Sequence, residues 1–167
     1  MKKGRCGTMT HDYVRHGTTT LFAALMVLDG TVIGSGFERP RHEEFLKFLR
    51  DVDRATPSGM ARHLIVDNYA THKHPKVKNW SQRHKRFHLH FIPTSSSWLN
   101  LVERWFGEIT RKQIRRGVFK SVDQLIQVIE DYLRHNNKNP KPFVWTKRVH
   151  EILEKVNHCK AGTVTPH

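Results

Sequence analysis

The chain has 167 residues, 29 Lys plus Arg against 15 Asp plus Glu, and a formal net charge of +14. At 37% hydrophobic residues it can bury one ordinary core, so a single domain is expected. No apolar run approaches the ~18 residues that a membrane span requires, and the surplus of cations favours a polyanionic partner, nucleic acid first.

The N-terminal seventeen residues are polar with no period and read as a lead-in. Its basic start is followed by no apolar stretch and no cleavage site, unlike a signal peptide. Thr18 to Leu28 is rich in strand formers, Asp29-Gly30 is a hairpin signal, and Thr31 to Phe37 supplies the returning strand. Arg41 to Ala55 has helical spacing, with Phe45, Leu46, Phe48, Leu49 and Val52 on one side. His63 to Val66 is a short continuous apolar run, of the kind found in a strand buried on both faces, and Asp67 stands at its C-terminal end. Pro75 opens a short helix through about Arg83, and Phe87 to Ile92 is the next strand.

After Pro93, the hydroxyls of Ser95, Ser96 and Ser97 offer an N-cap for a helix carrying Trp98, Leu101, Val102, Trp105, Phe106 and Ile109. Ser121 with Gln124 fits a capping box for a helix lined by Val122, Leu125, Ile126, Ile129, Tyr132 and Leu133. Residues 136–142 read as a loop. Thr146 is placed to cap a last helix with Val149, Ile152, Leu153 and Val156, and residues 157–167 as a disordered tail. This order predicts an α/β protein, a mixed sheet with helices packed on it.

The acids are unevenly spread. Between Asp67 and Glu103 there is no Asp or Glu, while the interval holds Lys73, Lys76, Lys78, Arg83, Lys85 and Arg86. A second basic cluster follows, with Arg104, Arg111, Lys112, Arg115, Arg116 and Lys120. From these, Lys73, Lys76, Lys78, Arg104, Arg111, Lys112, Arg115 and Arg116 are the candidate DNA contacts, because a phosphate-tracking surface needs cations gathered about its chemical centre. A solvated cationic face is the plainer alternative.

Asp67 stands where open mixed sheets present ligands, beyond a strand's carboxyl end. Its alternative is a turn or cap aspartate. Glu103 has Leu99 and Phe106 as helical neighbours and is expected to turn toward the sheet; its alternative is an ion pair with Arg104 or Arg111. Together the two acids suit Mg²⁺ (or Mn²⁺), hard cations that bind through one or two carboxylates plus phosphate oxygens. Zinc is disfavoured: Cys6 has no Cys-x-x-Cys partner, and the His72/His74 and His88/His90 pairs lack a clear third ligand. No phosphate-binding glycine loop and no serine nucleophile elbow occur. The four tryptophans read as core. Cys6 and Cys159, far apart, suit a reducing cytoplasm.

Four strings carry a family resemblance. The segment from Val66 through Asp67, Asn68 and His72 to Pro75 resembles the second-acid motif of bacterial transposases of the insertion sequence 630 family, relatives of mariner-like elements. Pro93 to Phe106, with Asn100 and Glu103, is similar to that family's third-acid motif. His11-Asp12-Tyr13 with Arg15 to Thr18, and Asn139 to Thr146, are further matches. The resemblance runs over about residues 5–155. It implies a ribonuclease H-like fold in which three carboxylates gather two divalent ions for phosphodiester hydrolysis and strand transfer. Asp67 matches the second acid and Glu103 the third, and both would be metal ligands. Asn68, His72 and Asn100 of the same motifs would support them.

The family's first acid lies on an opening strand upstream of the Thr18 hairpin, and neither Asp12 nor Asp29 matches it. The expectation is therefore that residues 1–156 are the C-terminal part of the catalytic domain, lacking its first strand. Alone the chain is expected to cleave DNA poorly, with an upstream polypeptide carrying the first acid. The resemblance further implies DNA as partner and a homodimer on paired element ends, with no membrane. A non-catalytic nucleic-acid-binding protein remains the alternative reading, and a structural RNA-binding protein a third that the well-patterned core disfavours.

Overall fold

A computed structural model describes residues 18–93, 96–144, 146 and 148–161. The His11-to-Gly17 part of the third matching string, Ser95 and Trp145 lie outside the described residues, as does the side chain of Trp98.

The hairpin forms as β1 (Thr20–Leu25) and β2 (Val32–Phe37), antiparallel, with Thr20 opposite Phe37 and Leu25 opposite Val32. Its apolar residues alternate between two cores. Phe22, Ala24, Ile33 and Phe37 face one, and Leu21, Ala23, Leu25 and Val32 face the other. The connection is wider than a two-residue turn: Met26 N–H donates to Thr31 O at 2.8 Å, and Thr31 N–H to Asp29 Oδ1 at 2.7 Å. Gly30 is required twice over, since its φ is +80° and an added Cβ would stand 2.1 Å from the Lys141 carbonyl oxygen.

The first core is built by α1 (His42–Ala55), whose Phe45, Phe48, Leu49 and Val52 are buried. Phe22 reaches into this aromatic cluster at 5.5 Å from the Phe45 ring and 5.9 Å from the Phe48 ring. β3 (Arg62–Val66) and β4 (Phe87–Phe91) pair in parallel, joined by α2 (Pro75–Arg83), and set Leu64, Leu89 and Phe87 against the same core with Val77 and Trp80. Arg86 ties this pair to the end of α1, with Nε donating to Asp53 Oδ1 at 2.6 Å.

The second core lies on the opposite face of the hairpin. It is made by α3 (Leu101–Ile109) and α4 (Val122–Asn136) through Trp105, Ile109, Ile129 and Leu133. Gly34 lets α4 come down on β2: a Cβ there would meet Leu133 Cδ1 at 2.8 Å. Asn137, just past α4, braces the outer edge of β2, its Oδ1 accepting from Val32 N–H at 2.9 Å and its Nδ2 donating to Val32 O at 2.8 Å. The last helix, α5, spans Val149–Ala161.

Several expectations need correction. Among the described residues the four strands form two separate two-stranded sheets rather than one mixed sheet. β3 is buried on one face only: His63 is exposed and Ile65 is 53% exposed, because no described helix covers that side. The serines do not cap α3. A 3-10 turn over Ser97–Leu99 intervenes, and Asn100 precedes the helix without a side-chain cap bond. Past Ile109 the helix loosens into a π turn over Thr110–Ile114. Ser121 caps α4 as expected, accepting from Gln124 N–H at 3.1 Å, but Gln124 Oε1 reaches back to Lys120 N–H rather than to Ser121. The tail expected to be disordered from Asn157 stays helical to Ala161, and Thr146 lies too far upstream to cap α5.

Candidate metal and nucleic-acid site

Asp67 follows the last residue of β3, where the chain leaves the sheet. Its Oδ1 accepts from the Tyr69 amide at 3.0 Å, so the turn-aspartate alternative is correct for one of its two oxygens. Asn68 fastens the same turn to the neighbouring strand's exit, Nδ2 donating to Ile92 O at 2.6 Å, beside the Ile92 N–H to Val66 O bond at 3.0 Å. The chain beyond Ile92 then turns tightly: Leu99 N–H donates to Ser96 O at 2.9 Å and Glu103 N–H to Asn100 O at 3.0 Å. These turns deliver Glu103 in the first turn of α3, a position where the helix dipole favours an anion.

Glu103 nonetheless has its carboxyl pushed above the ordinary value of 4.5, by desolvation first and by the negative charge of Asp67 second. The two acids are thus brought within electrostatic reach of each other across an interval free of other acids. No ion pair joins Glu103 to a base among the described residues. Arg104 instead lies over the Phe143 ring at 5.4 Å, and Arg111 Nε donates to Gly107 O at 3.3 Å. The arginine-paired alternative for Glu103 is therefore not what forms.

These two carboxylates fit a hard divalent cation. Each has a solvent-facing side chain, and their mutual repulsion is of the sign that a cation relieves. They amount to a partial set of ligands: among the described residues no group of three or more His, Cys, Asp or Glu side chains is arranged to hold a metal ion. Mg²⁺ commonly takes one or two protein carboxylates and completes its shell with phosphate oxygens and water.

The supporting residues divide. His72, in a 3-10 turn over Ala70–Lys73, sets Nδ1 2.8 Å from Asp67 Oδ1, and Asn68 binds as described. Asn100 contributes backbone groups, its N–H donating to Ser97 O and its carbonyl accepting from Glu103 N–H, with no side-chain cap bond to α3. The cations lie on two groups of elements, each next in the chain to one acid. Lys73 stands over the Phe91 ring at 5.6 Å, Lys76 is 3.8 Å from Glu43, and Lys78 is exposed on α2. Arg111, Lys112, Arg115 and Arg116 are exposed along the π turn and just past it. Lys112 is held by Glu108 at 3.0 Å, which raises its pKa.

Sequence reasoning missed a groove of about 1190 Å³ that includes neither acid. It runs between α3, the end of α4 and the segment near Phe143, with Arg104, Trp105, Lys112, Tyr132 and Lys138 among its walls. The indole Nε1 of Trp105 is buried there without a hydrogen-bond partner. The spacing of Leu101, Arg104, Trp105, Glu108 and Lys112 on one helical face was the available signal, but it does not reveal the opposite wall. The Tyr69 amide was also missed, since a backbone donor leaves no mark in side-chain patterns.

A sequence profile of the family described as DDE superfamily endonuclease matches residues 1–126. A curated relative from Shigella sonnei, "Insertion element IS630 uncharacterized 39 kDa protein", is 31% identical over 99 residues. That stretch covers 59% of this chain and 28% of the relative. No helix among the described residues is long and apolar enough to cross a membrane.

Proposed function

Since the chain belongs to the DDE superfamily endonucleases, we propose that it serves DNA transposition of the insertion sequence 630 type, in the cytoplasm, with Asp67 and Glu103 as two of the carboxylates holding Mg²⁺ or Mn²⁺. The observation that carries this reading is the placement of Asp67 at the exit of β3 and of Glu103 in the first turn of α3, two acids separated by an acid-free basic stretch. When bound, a pair of such ions supplies charge stabilisation to the attacking and leaving oxygens at phosphorus. The chain's own residues perform the positioning. Asn68 and the Tyr69 amide hold the Asp67 turn, and α3 presents Glu103 from a helix anchored by Val102, Trp105 and Ile109. Lys73, Lys76, Lys78, Arg104, Arg111, Lys112, Arg115 and Arg116 follow the DNA backbone on either side.

The same reading makes the two sheets halves of one ribonuclease H-like mixed sheet. Among the described residues β1 and β3 each pair on one edge only, and both pack against the core that α1 builds. A strand from outside the described residues, laid between them, gives the order β2-β1-new strand-β3-β4. An upstream polypeptide is one source of that strand and of the first acid, and a homodimer on paired ends is the working assembly.

Asp67→Ala tests the reading in two measurements on one protein. Divalent-ion binding should be lost, while affinity for duplex DNA keeps its steep fall with salt. Neutralising Arg115 or Arg116 should lower that salt slope by about 1 each. Unchanged Mn²⁺ binding in Asp67→Ala overturns the metal-site reading and leaves a non-catalytic DNA-binding protein.

A further inference from the structure

His72 is half-buried, its side chain only 12% exposed, in a setting that does not suit an imidazole. The Phe45 ring lies 4.2 Å from it, Tyr69 meets it edge-on at 5.9 Å, and Phe22 stands at 6.3 Å. Nδ1 and Nε2 are both buried with no hydrogen-bond partner among the described residues. A phenylalanine would fill this slot without burying an unsatisfied polar atom, which costs on the order of 1–3 kcal/mol. The sole polar group that any hydrogen bond or ion pair of the described residues sets against the ring is Asp67, whose Oδ1 is 2.8 Å from Nδ1. The contact is a close approach that does not meet hydrogen-bond geometry. Active-site hydrogen bonds are commonly loose before substrate arrives.

The turn that carries His72 is fixed independently. Thr71 Oγ1 donates to Pro40 O at 2.7 Å, and the ring of His74 stacks on His42 at 3.7 Å and 8°. Both anchors sit at the start of α1, on either side of His72, so the imidazole is held before any ligand is present. The Tyr69 amide and His72 Nδ1 converge on the same oxygen, Oδ1, and no hydrogen bond among the described residues engages Oδ2.

We infer that His72 is a positioning residue: together with the Tyr69 amide it holds Oδ1 of Asp67 and so leaves Oδ2 as the oxygen presented to a divalent ion. This rests on the reading of Asp67 as a metal ligand and adds which oxygen binds and what orients it. Neighbours of this kind that orient a ligand typically change metal affinity by 10–100-fold when removed.

The test compares His72→Phe with His72→Asn in the full chain. Phe keeps the packing and removes the donor; Asn places an amide N–H close to where Nδ1 stood. Free Mn²⁺, followed by electron paramagnetic resonance, should show affinity falling about 10-fold or more in His72→Phe and staying within roughly 3-fold of the parent in His72→Asn. The melting temperature of His72→Phe should hold or rise. Equal affinity in His72→Phe and the parent overturns the positioning role while leaving Asp67 as a ligand. Equal losses in both variants, with lowered melting temperatures, overturn it in favour of packing alone. The ring ¹⁵N shifts of His72, read without metal, separate these failures from a failure of the site itself. They should move in Asp67→Asn if the contact exists, and unmoved shifts overturn the inference whatever Mn²⁺ does.

Discussion

The two sheets of this protein are similar in size and opposite in circumstance. The β1–β2 hairpin is covered on both faces, by α1 on one side and by α3 with α4 on the other. Among the described residues the β3–β4 pair is covered on one face alone, and the other exposes His63, Ile65, His88 and His90, with the His63 ring 4.8 Å from His88 and 5.2 Å from His90. The difference separates scaffold from candidate site. The covered hairpin holds the molecule together, and the half-covered pair ends in the turn that carries Asp67. The strand that releases its chain into this candidate turn is stabilised from one side and by stitching bonds such as Asn68 to Ile92 O. The doubly covered hairpin has a comparable bond where its outer edge is finished, from Asn137 to Val32.

The sharpest way to break this contrast is truncation on matched aliphatic residues. Leu49→Ala, at a fully buried position beneath the hairpin, should cost about 2–5 kcal/mol in urea denaturation. Ile65→Ala, on the open face of β3, should cost roughly 0.5 kcal/mol or less. Comparable losses at the two sites would mean that the open face is covered in solution.

A second and smaller effect addresses how the hairpin's outer edge is finished. Asn137→Ala removes both side-chain bonds to Val32, and a loss of about 1–3 kcal/mol is expected. Amide exchange at Val32 should quicken in the same variant, while exchange at β3 amides stays unchanged.

The smallest effect lies in the acid pair. Glu103 has a raised pKa in the folded chain, so between about 4.5 and that raised value the native state binds the proton more fully than the unfolded one. Its stabilising contribution is present at low pH and is lost as pH rises through that window. Glu103→Gln should therefore gain stability relative to the parent between about pH 4 and about pH 7, by less than about 1 kcal/mol because the residue is exposed to solvent. Thermal melts at both pH values measure this. A variant less stable than the parent at neutral pH would contradict the acid repulsion.

Much of the fold was legible because local chemistry wrote it. The run of strand formers in Thr20–Leu25, the apolar stripe of Phe45, Phe48, Leu49 and Val52, and Ser121 ahead of Gln124 each specify an element within a few residues. The two acids were legible for a similar reason, since a charge gap of this length and a carboxylate after an apolar strand are visible in one dimension. The start of α3 was not. Three serines in a row advertise a cap, but the chain spends Ser97–Leu99 on a tight turn that brings Val102 and Trp105 onto the hairpin. The continuation of α5 past Asn157 was missed because its apolar residues are sparse, with Leu153 56% exposed, and composition there resembles a solvated tail.

By itself the sequence determined the order of elements and the uneven spread of charge that made Asp67 and Glu103 candidates, since periodicity and charge are properties of neighbours along the chain. It could not determine which faces are covered, because a strand such as Arg62–Val66 reads alike whether one helix layer or two will meet it. Nor could it say which oxygen of Asp67 is engaged, or that Glu103 answers to Asp67 rather than to Arg104. Those outcomes depend on distances between residues far apart in the chain, and only the packing of α1, α3 and the turn after β3 decides them.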